Sequence, residues 1–163
     1  MSMIQNQDAT RTLKTWTDVD VDAFCQVAPE AVVRMLKIGL ETAVRPKDLV
    51  ELEDIAVLED EVGGTSWLRF TSSKKNRRRH RLPAGPATRE AMREVEAGRP
   101  MIANSRGERI TSGTLVVKLV NAWRARASLD AGLGYMAARR TAVARWSAEG
   151  MSDGEIARRL GRS

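Results

Sequence analysis

The side chains of this sequence that could take part in chemistry are mostly cationic, and they fall in three places. Arg45 stands before a proline, and Arg139 and Arg162 lie near the C-terminal end. Between them is a basic run with Lys74, Lys75, Arg77, Arg78 and Arg79. Guanidinium and ammonium groups bind phosphate oxygens, but an arginine stays protonated and is a poor general base. These residue types therefore indicate phosphate binding rather than proton transfer.

Other kinds of site have no pattern in this sequence. It contains no metal-ligand spacing, no glycine-rich phosphate loop and no Ser-His-Asp set, so we expect no metal and no cofactor. The one histidine, His80, falls in the basic run, where a surface position is the simplest expectation. The four tryptophans, Trp16, Trp67, Trp123 and Trp146, are expected in the core.

Charge is distributed unevenly along the 163 residues. Residues 1–65 carry six Lys/Arg against thirteen Asp/Glu, whereas residues 66–163 carry twenty-one against eight. A basic C-terminal part indicates a polyanionic partner, with nucleic acid as the first candidate. A single cysteine, Cys25, fits a reducing cytoplasm, and no apolar run is long enough to suggest a membrane partner.

Local signals place Arg45 at a break between two helices. Val32, Val33, Leu36 and Leu40 have helical spacing, and Pro46 then opens a short helix predicted to run through Leu52. An arginine at such a break could also satisfy carbonyl groups at the end of the preceding helix. On this stretch alone, that structural role competes with phosphate binding.

The basic run lies between two predicted strands, SWLRFT and HRLP. An antiparallel hairpin with a basic tip is the economical interpretation, preceded by an acidic loop or edge strand over residues 53–65. Such a tip could bind DNA phosphates with release of counterions, or it could be a solvated turn. We favour DNA contact because so dense a cluster repels itself.

The C-terminal region predicts two helices. In the first, Ala142, Val143 and Trp146 form an apolar stripe and Gly150 ends the helix. The S-x-x-E capping box of Ser152 and Glu155 begins the second. Further helices are predicted after Thr17 and Pro29, over residues 86–97, and after Ser112.

Three of these segments resemble the catalytic domain of tyrosine recombinases, the phage integrase family. The family pattern T-G-x-R-x-x-E-L resembles Thr42–Leu49, with Ala43 in place of glycine. The pattern H-x-L-R-R-T-A-A, followed by G-x-S-x-x-E-I and L-G-H, resembles the stretch from Met136 to Arg162. The resemblance implies that Arg45 and Arg139 bind one DNA phosphate. It also implies a hairpin lysine, Lys74 or Lys75, which lie nine and eight residues before Pro83.

The departures from the family pattern fall on the proton-transfer groups and the nucleophile. Met136 and Arg162 occupy the two histidine positions, and the sequence ends at Ser163, before the family's nucleophilic tyrosine is due. The one tyrosine, Tyr135, lies where the family places no nucleophile. We therefore expect a degenerate active site that holds a phosphate without catalysis.

The expected fold is α+β and mainly helical, a tyrosine-recombinase catalytic-domain-like fold with a small antiparallel β-sheet. We expect a flexible arm over residues 1–14 and one integrase-like domain over residues 15–163, without the family's N-terminal core-binding domain or its C-terminal tyrosine segment.

The expected function is non-catalytic binding of double-stranded DNA, as a transcriptional regulator or an accessory factor of a phage or mobile element, in a bacterial or phage-encoded, nucleoid-associated protein. A second copy of the chain or a recombinase is a candidate partner. The alternative is a truncated or split site-specific recombinase, acting in DNA recombination and integration with a tyrosine supplied in trans. A third hypothesis assigns the C-terminal segment to the first half of a helix-turn-helix.

Overall fold

The computed structural model describes residues 13–60, 66–71 and 79–161. Within them are seven helices and one three-stranded sheet. The helices are α1 (Asp18–Val27), α2 (Glu30–Thr42), α3 (Pro46–Ile55), α4 (Pro86–Glu96), α5 (Gly113–Arg126), α6 (Tyr135–Ala148) and α7 (Asp153–Arg159). The strands are β1 (Ala56–Asp60), β2 (Ser66–Thr71) and β3 (Arg79–Pro83). The mainly helical α+β prediction is confirmed.

Helix α2 is the centre of the molecule. It packs against α1, α4, α5 and α6 and against strand β3. Its residues Met35, Leu36 and Ile38 are fully buried. Burial of one such side chain stabilises the fold by about 1.5–3 kcal/mol. This helix therefore fixes the positions of the elements that carry the basic residues.

Several helix starts follow the predicted caps. The Thr17 side chain accepts a hydrogen bond from the Asp20 backbone N–H, and Asp20 completes a capping box. Ser112 and Ser152 accept from Leu115 N and Glu155 N. The start of α4 is capped from a distance, because Glu41 accepts from the backbone N–H groups of Ala87 and Thr88, at 2.9 Å each. That long-range cap has no signal in the local sequence.

The sheet is antiparallel in the order β1-β2-β3. In β2 and β3, Leu68 pairs with Leu82 and Phe70 pairs with His80. These four side chains are buried and lie on one face of the sheet. The predicted pair of hairpin strands is confirmed, and its predicted tip, residues 72–78, lies outside the described residues.

The edge strand expected within residues 53–65 is present as β1, directly after α3. Two sequence expectations are wrong in detail. Helix α3 continues to Ile55 instead of ending at Leu52. Trp67 and Trp123 are only partly buried, while Trp16 and Trp146 are core residues. Trp67 alternates with Leu68 and Phe70 along β2 and so lies on the opposite face of the sheet.

Among the residues that the structure describes, none of the helices has the length and apolar character needed to cross a membrane.

Candidate phosphate-binding site

Arg45 lies at a sharp break between α2 and α3. Ala43 ends α2 in the left-handed conformation, with φ of 55°. The Thr42 hydroxyl donates to the carbonyl of Ile38 and accepts from Val44 N–H, which fixes the turn. Arg45 is then extended and precedes Pro46 at the first position of α3. A left-handed residue is easiest for glycine, so the break explains a glycine in the family pattern at the Ala43 position.

Arg139 reaches the same break from helix α6. Its Nε donates a hydrogen bond to the Ala43 carbonyl at 2.8 Å. Ala43 is buried, so this bond satisfies an acceptor at the end of α2 that is shielded from water. The guanidinium of Arg139 is thereby fixed in place, and it has a structural role in addition to any role toward a ligand.

The neighbouring Arg140 is directed elsewhere. It donates to the backbone carbonyls of Lys14 and Gly132. Close by, the backbone N–H of Trp16 donates to the Thr141 hydroxyl at 2.8 Å. Arg140 therefore ties the chain before α1 to α6 and takes no part in the Arg45 pocket.

A recessed pocket brings Arg45 and Arg139 together. Asp48, which is buried on the first turn of α3, lines it as well. A carboxylate beside two guanidinium groups reduces their mutual repulsion in the free protein. The remaining wall includes His80 from β3 and Arg159 from α7. Arg45 from the break before α3, Arg139 from α6 and Arg159 from α7 thus line one recess.

The expected surface position of His80 is wrong. Its side chain is 9% exposed and stacks on Phe70, with ring centroids 5.1 Å apart. Its imidazole also lies against the backbone of Gly161, where a Cβ atom would be only 2.3 Å from His80 Cε1. The period-2 pattern contained the signal, because His80 precedes Leu82 by two residues and so shares its buried face.

Arg159 is a pocket residue that the sequence interpretation missed. Its guanidinium carbon lies 4.9 Å from the ring centroid of Trp146 and 5.3 Å from that of Trp67. Burial lowers its pKa, against the opposing effects of Glu155 and Glu149. Trp67 and Trp146 are far from each other in the sequence, so no local pattern indicates that they share an arginine.

Tyr135 is a structural residue of the core. It is fully buried, and its hydroxyl donates to the Val44 carbonyl at 2.8 Å. Burial raises the pKa of this phenol, an effect to which Asp48 adds and which Arg139 opposes. Its ring packs on Gly39, where a Cβ would lie 2.9 Å from ring carbon Cε2. The phenol therefore stays protonated at neutral pH and supports the segment that precedes Arg45.

Removal of the hydroxyl tests this role. We expect Tyr135→Phe to lower the free energy of unfolding by about 1–2 kcal/mol, because the buried Val44 carbonyl loses its donor. Urea denaturation of the variant and the wild type measures the difference. Equal stabilities would show that the bond to Val44 contributes nothing to the Arg45 turn.

The other predicted site residues are distributed as follows. Met136 is 44% exposed and lies beside Arg139, at the rim of two neighbouring grooves. Arg79 is exposed at the start of β3 and lines a different depression, with Arg69 and Thr71. Five predicted residues lie outside the described parts of the chain: Lys74, Lys75, Arg77, Arg78 and Arg162.

Comparison with solved structures identifies the architecture. The Tn1549 transposon integrase, solved with transposon right end DNA, has a TM-score of 0.63 and 16% identity, over 94% of this chain and 59% of that chain. A lambda integrase dimer bound to a COC′ core site has a TM-score of 0.61 and 18% identity, over 96% and 48%. XerH recombinase bound to palindromic difH substrate has a TM-score of 0.65 and 14% identity, over 94% and 48%.

This chain is similar to these proteins in its fold. No protein-family model matches the sequence, and no curated protein matches it. The chain spans roughly half to three-fifths of the length of these solved structures. The similarity in fold agrees with the resemblance that the motifs indicated. This chain therefore has a tyrosine-recombinase-like catalytic-domain fold.

Proposed function

We propose that this protein binds duplex DNA without cleaving it, and that one backbone phosphate occupies the Arg45–Arg139 pocket. The observation that carries the proposal is that two arginines distant in sequence line one recess together with Asp48. Charge-assisted hydrogen bonds from guanidinium to phosphate are short and strong, and a paired arrangement adds orientation. The solved structures of similar fold that were determined with DNA support the choice of ligand.

The basic segment between β2 and β3 would extend the proposed interface. It carries Lys74, Lys75, Arg77 and Arg78, and β3, which follows it, contributes His80 to the pocket. A phosphate in the pocket and phosphates bound by this segment would belong to one duplex. Binding through several phosphate contacts depends steeply on salt concentration and only weakly on base sequence.

The absence of catalysis is proposed from the chemistry around the pocket. Met136, beside Arg139, has no group that can transfer a proton, and the Tyr135 hydroxyl is buried and bonded to Val44. A nucleophile must reach the phosphorus atom to attack it. A role as a transcriptional regulator or as an accessory factor in recombination and integration is consistent with such a protein. The alternative is a site-specific recombinase that acts in DNA recombination and integration with a tyrosine supplied in trans.

Two assays test the two parts of this proposal. We expect the protein to bind a labelled duplex in a fluorescence-anisotropy titration, with affinity that falls as salt rises. We also expect no covalent protein–DNA adduct on a nicked suicide duplex, on which a recombinase would be trapped after cleavage. Absence of binding at low salt would overturn the DNA proposal. An adduct, located by mass spectrometry, would overturn the proposal that the protein is non-catalytic.

A further inference from the structure

We infer that Arg159 is a third phosphate-binding residue of the pocket and that Trp67 and Trp146 hold its guanidinium in place. This inference rests on the proposed function and deepens it, because it adds a ligand group from helix α7 to the site formed by Arg45 and Arg139. The observations that carry it are the position of Arg159 in the wall of the recess and its contact with two indole rings.

The aromatic contacts limit the directions in which the Arg159 guanidinium can donate hydrogen bonds. Both ring centroids lie within about 6 Å of the guanidinium carbon, the range of cation–π attraction. A guanidinium stacked on a ring keeps its N–H donors in its own plane, directed away from the ring face. The side chain therefore loses little further freedom when an anion arrives, and its donors stay available at the edge of the group.

Other contacts explain how a partly buried cation is tolerated there. Glu149, directly after α6, and Glu155 in α7 stabilise its charge, but neither forms an ion pair with it within the described residues. Its identified contacts are ring faces. A structural arginine in a protein interior is usually paired with a carboxylate that consumes its donors. Here the two indole rings take the place of that carboxylate, and Arg159 lines the recess in which a phosphate would lie.

The charge of the pocket supports the same conclusion. Arg45, Arg139 and Arg159 contribute three positive charges to the recess, and Asp48 contributes one negative charge. An excess of cation in a half-buried site is costly in the free protein and is relieved by an anion. A phosphate that enters the recess can accept from more than the two arginines which the sequence motifs identified.

Arg158 provides a matched control for the test. It is adjacent to Arg159 in the last turn of α7, has the same charge and is exposed. The comparison uses anisotropy titrations of a short blunt-ended duplex of arbitrary sequence, at several salt concentrations, with the wild type and single substitutions. Thermal melting of each variant shows which proteins are folded at the titration temperature.

We expect Arg159→Ala to weaken binding about tenfold, and Arg158→Ala to weaken it by less than about threefold. The log-log salt slope should flatten by about 0.9 for Arg159→Ala, as for one lost phosphate contact. Arg159→Lys preserves the charge but not the planar fork, so it should lose most of the same affinity while remaining folded. This variant keeps the test decisive if Arg159→Ala unfolds.

The titrations also distinguish failure of the inference about Arg159 from failure of the proposed phosphate pocket. If Arg159→Ala and Arg159→Lys bind like Arg158→Ala while Arg45→Ala binds weakly, Arg159 is a packing residue and this inference is wrong. If Arg45→Ala also binds like the wild type, the phosphate pocket itself is overturned, and the inference about Arg159 is overturned with it.

Discussion

Arg45→Ala is expected to weaken binding of duplex DNA by about tenfold to a hundredfold and to leave the fold intact. The expected loss corresponds to a hydrogen bond with a charged group, about 1.5–3 kcal/mol. Arg45 is half-buried at the rim of the pocket, and its stability effect should stay within about 0.5 kcal/mol, as for most substitutions away from core contacts. Anisotropy titration and thermal melting of the same preparation measure both quantities.

Arg139→Ala should differ from Arg45→Ala in stability. It should lose a similar share of DNA affinity, but it also removes the donor to the buried Ala43 carbonyl. An unsatisfied buried acceptor costs about 1–3 kcal/mol, so this variant should melt at a clearly lower temperature. The double variant should lose less affinity than the sum of the two single losses, because both arginines are proposed to bind one phosphate.

Arg106→Ala is the control for net charge. Arg106 is exposed in the turn before α5 and is not part of the pocket, so its removal should change affinity only slightly. A large fall in melting temperature for Arg45→Ala, with unchanged affinity per folded molecule, would contradict the phosphate site. It would support the structural alternative, in which Arg45 only satisfies groups at a helix end.

The second large effect is expected at Gly113, the first residue of α5. A Cβ atom there would lie 2.7 Å from the backbone nitrogen of Lys47 and 2.8 Å from the carbonyl carbon of Pro46. Neither backbone atom can rotate away as a flexible side chain could. We expect Gly113→Ala to destabilise the protein by about 3 kcal/mol, at the upper end of the usual cost of overpacking.

Gly154→Ala is the matched control for this substitution. Gly154 also lies in the first turn of a helix, α7, but a Cβ there would have no neighbour within 4 Å. Because alanine is the better helix former, this variant should be more stable by about 0.5 kcal/mol. Urea denaturation should therefore show a lower free energy of unfolding for Gly113→Ala and a higher one for Gly154→Ala, each relative to the wild type. Equal effects would show that α5 does not pack tightly on the start of α3.

The close packing of Gly113 on Pro46 and Lys47 should also affect the position of Arg45 in the pocket. Pro46 begins the helix that Arg45 precedes, so pushing α5 away from Pro46 and Lys47 should displace the Arg45 side chain. Folded Gly113→Ala should consequently bind DNA more weakly than the wild type, although no proposed ligand group has been changed. Affinity equal to that of the wild type would show that the position of Arg45 does not depend on this packing.

The sequence by itself determined the elements whose signals are local. Side-chain caps at Thr17, Ser112 and Ser152 and the prolines at helix starts need only residues within one turn. The alternation in β2 and β3 and the break at Arg45 are equally local. The motifs built on these elements were sufficient to indicate the fold class and to single out Arg45 and Arg139.

The tertiary structure decided which of these residues share a pocket and which sides of the elements are buried. The alternation in β3 places His80 on the same face as Leu82, but only the tertiary packing brought His80 against Gly161 and into the wall of the pocket. Arg159 joined the site because α7 packs against α6, which carries Trp146, and against β3, whose neighbouring strand β2 carries Trp67. Such contacts depend on distances between residues remote in sequence, and no pattern within a few residues encodes them.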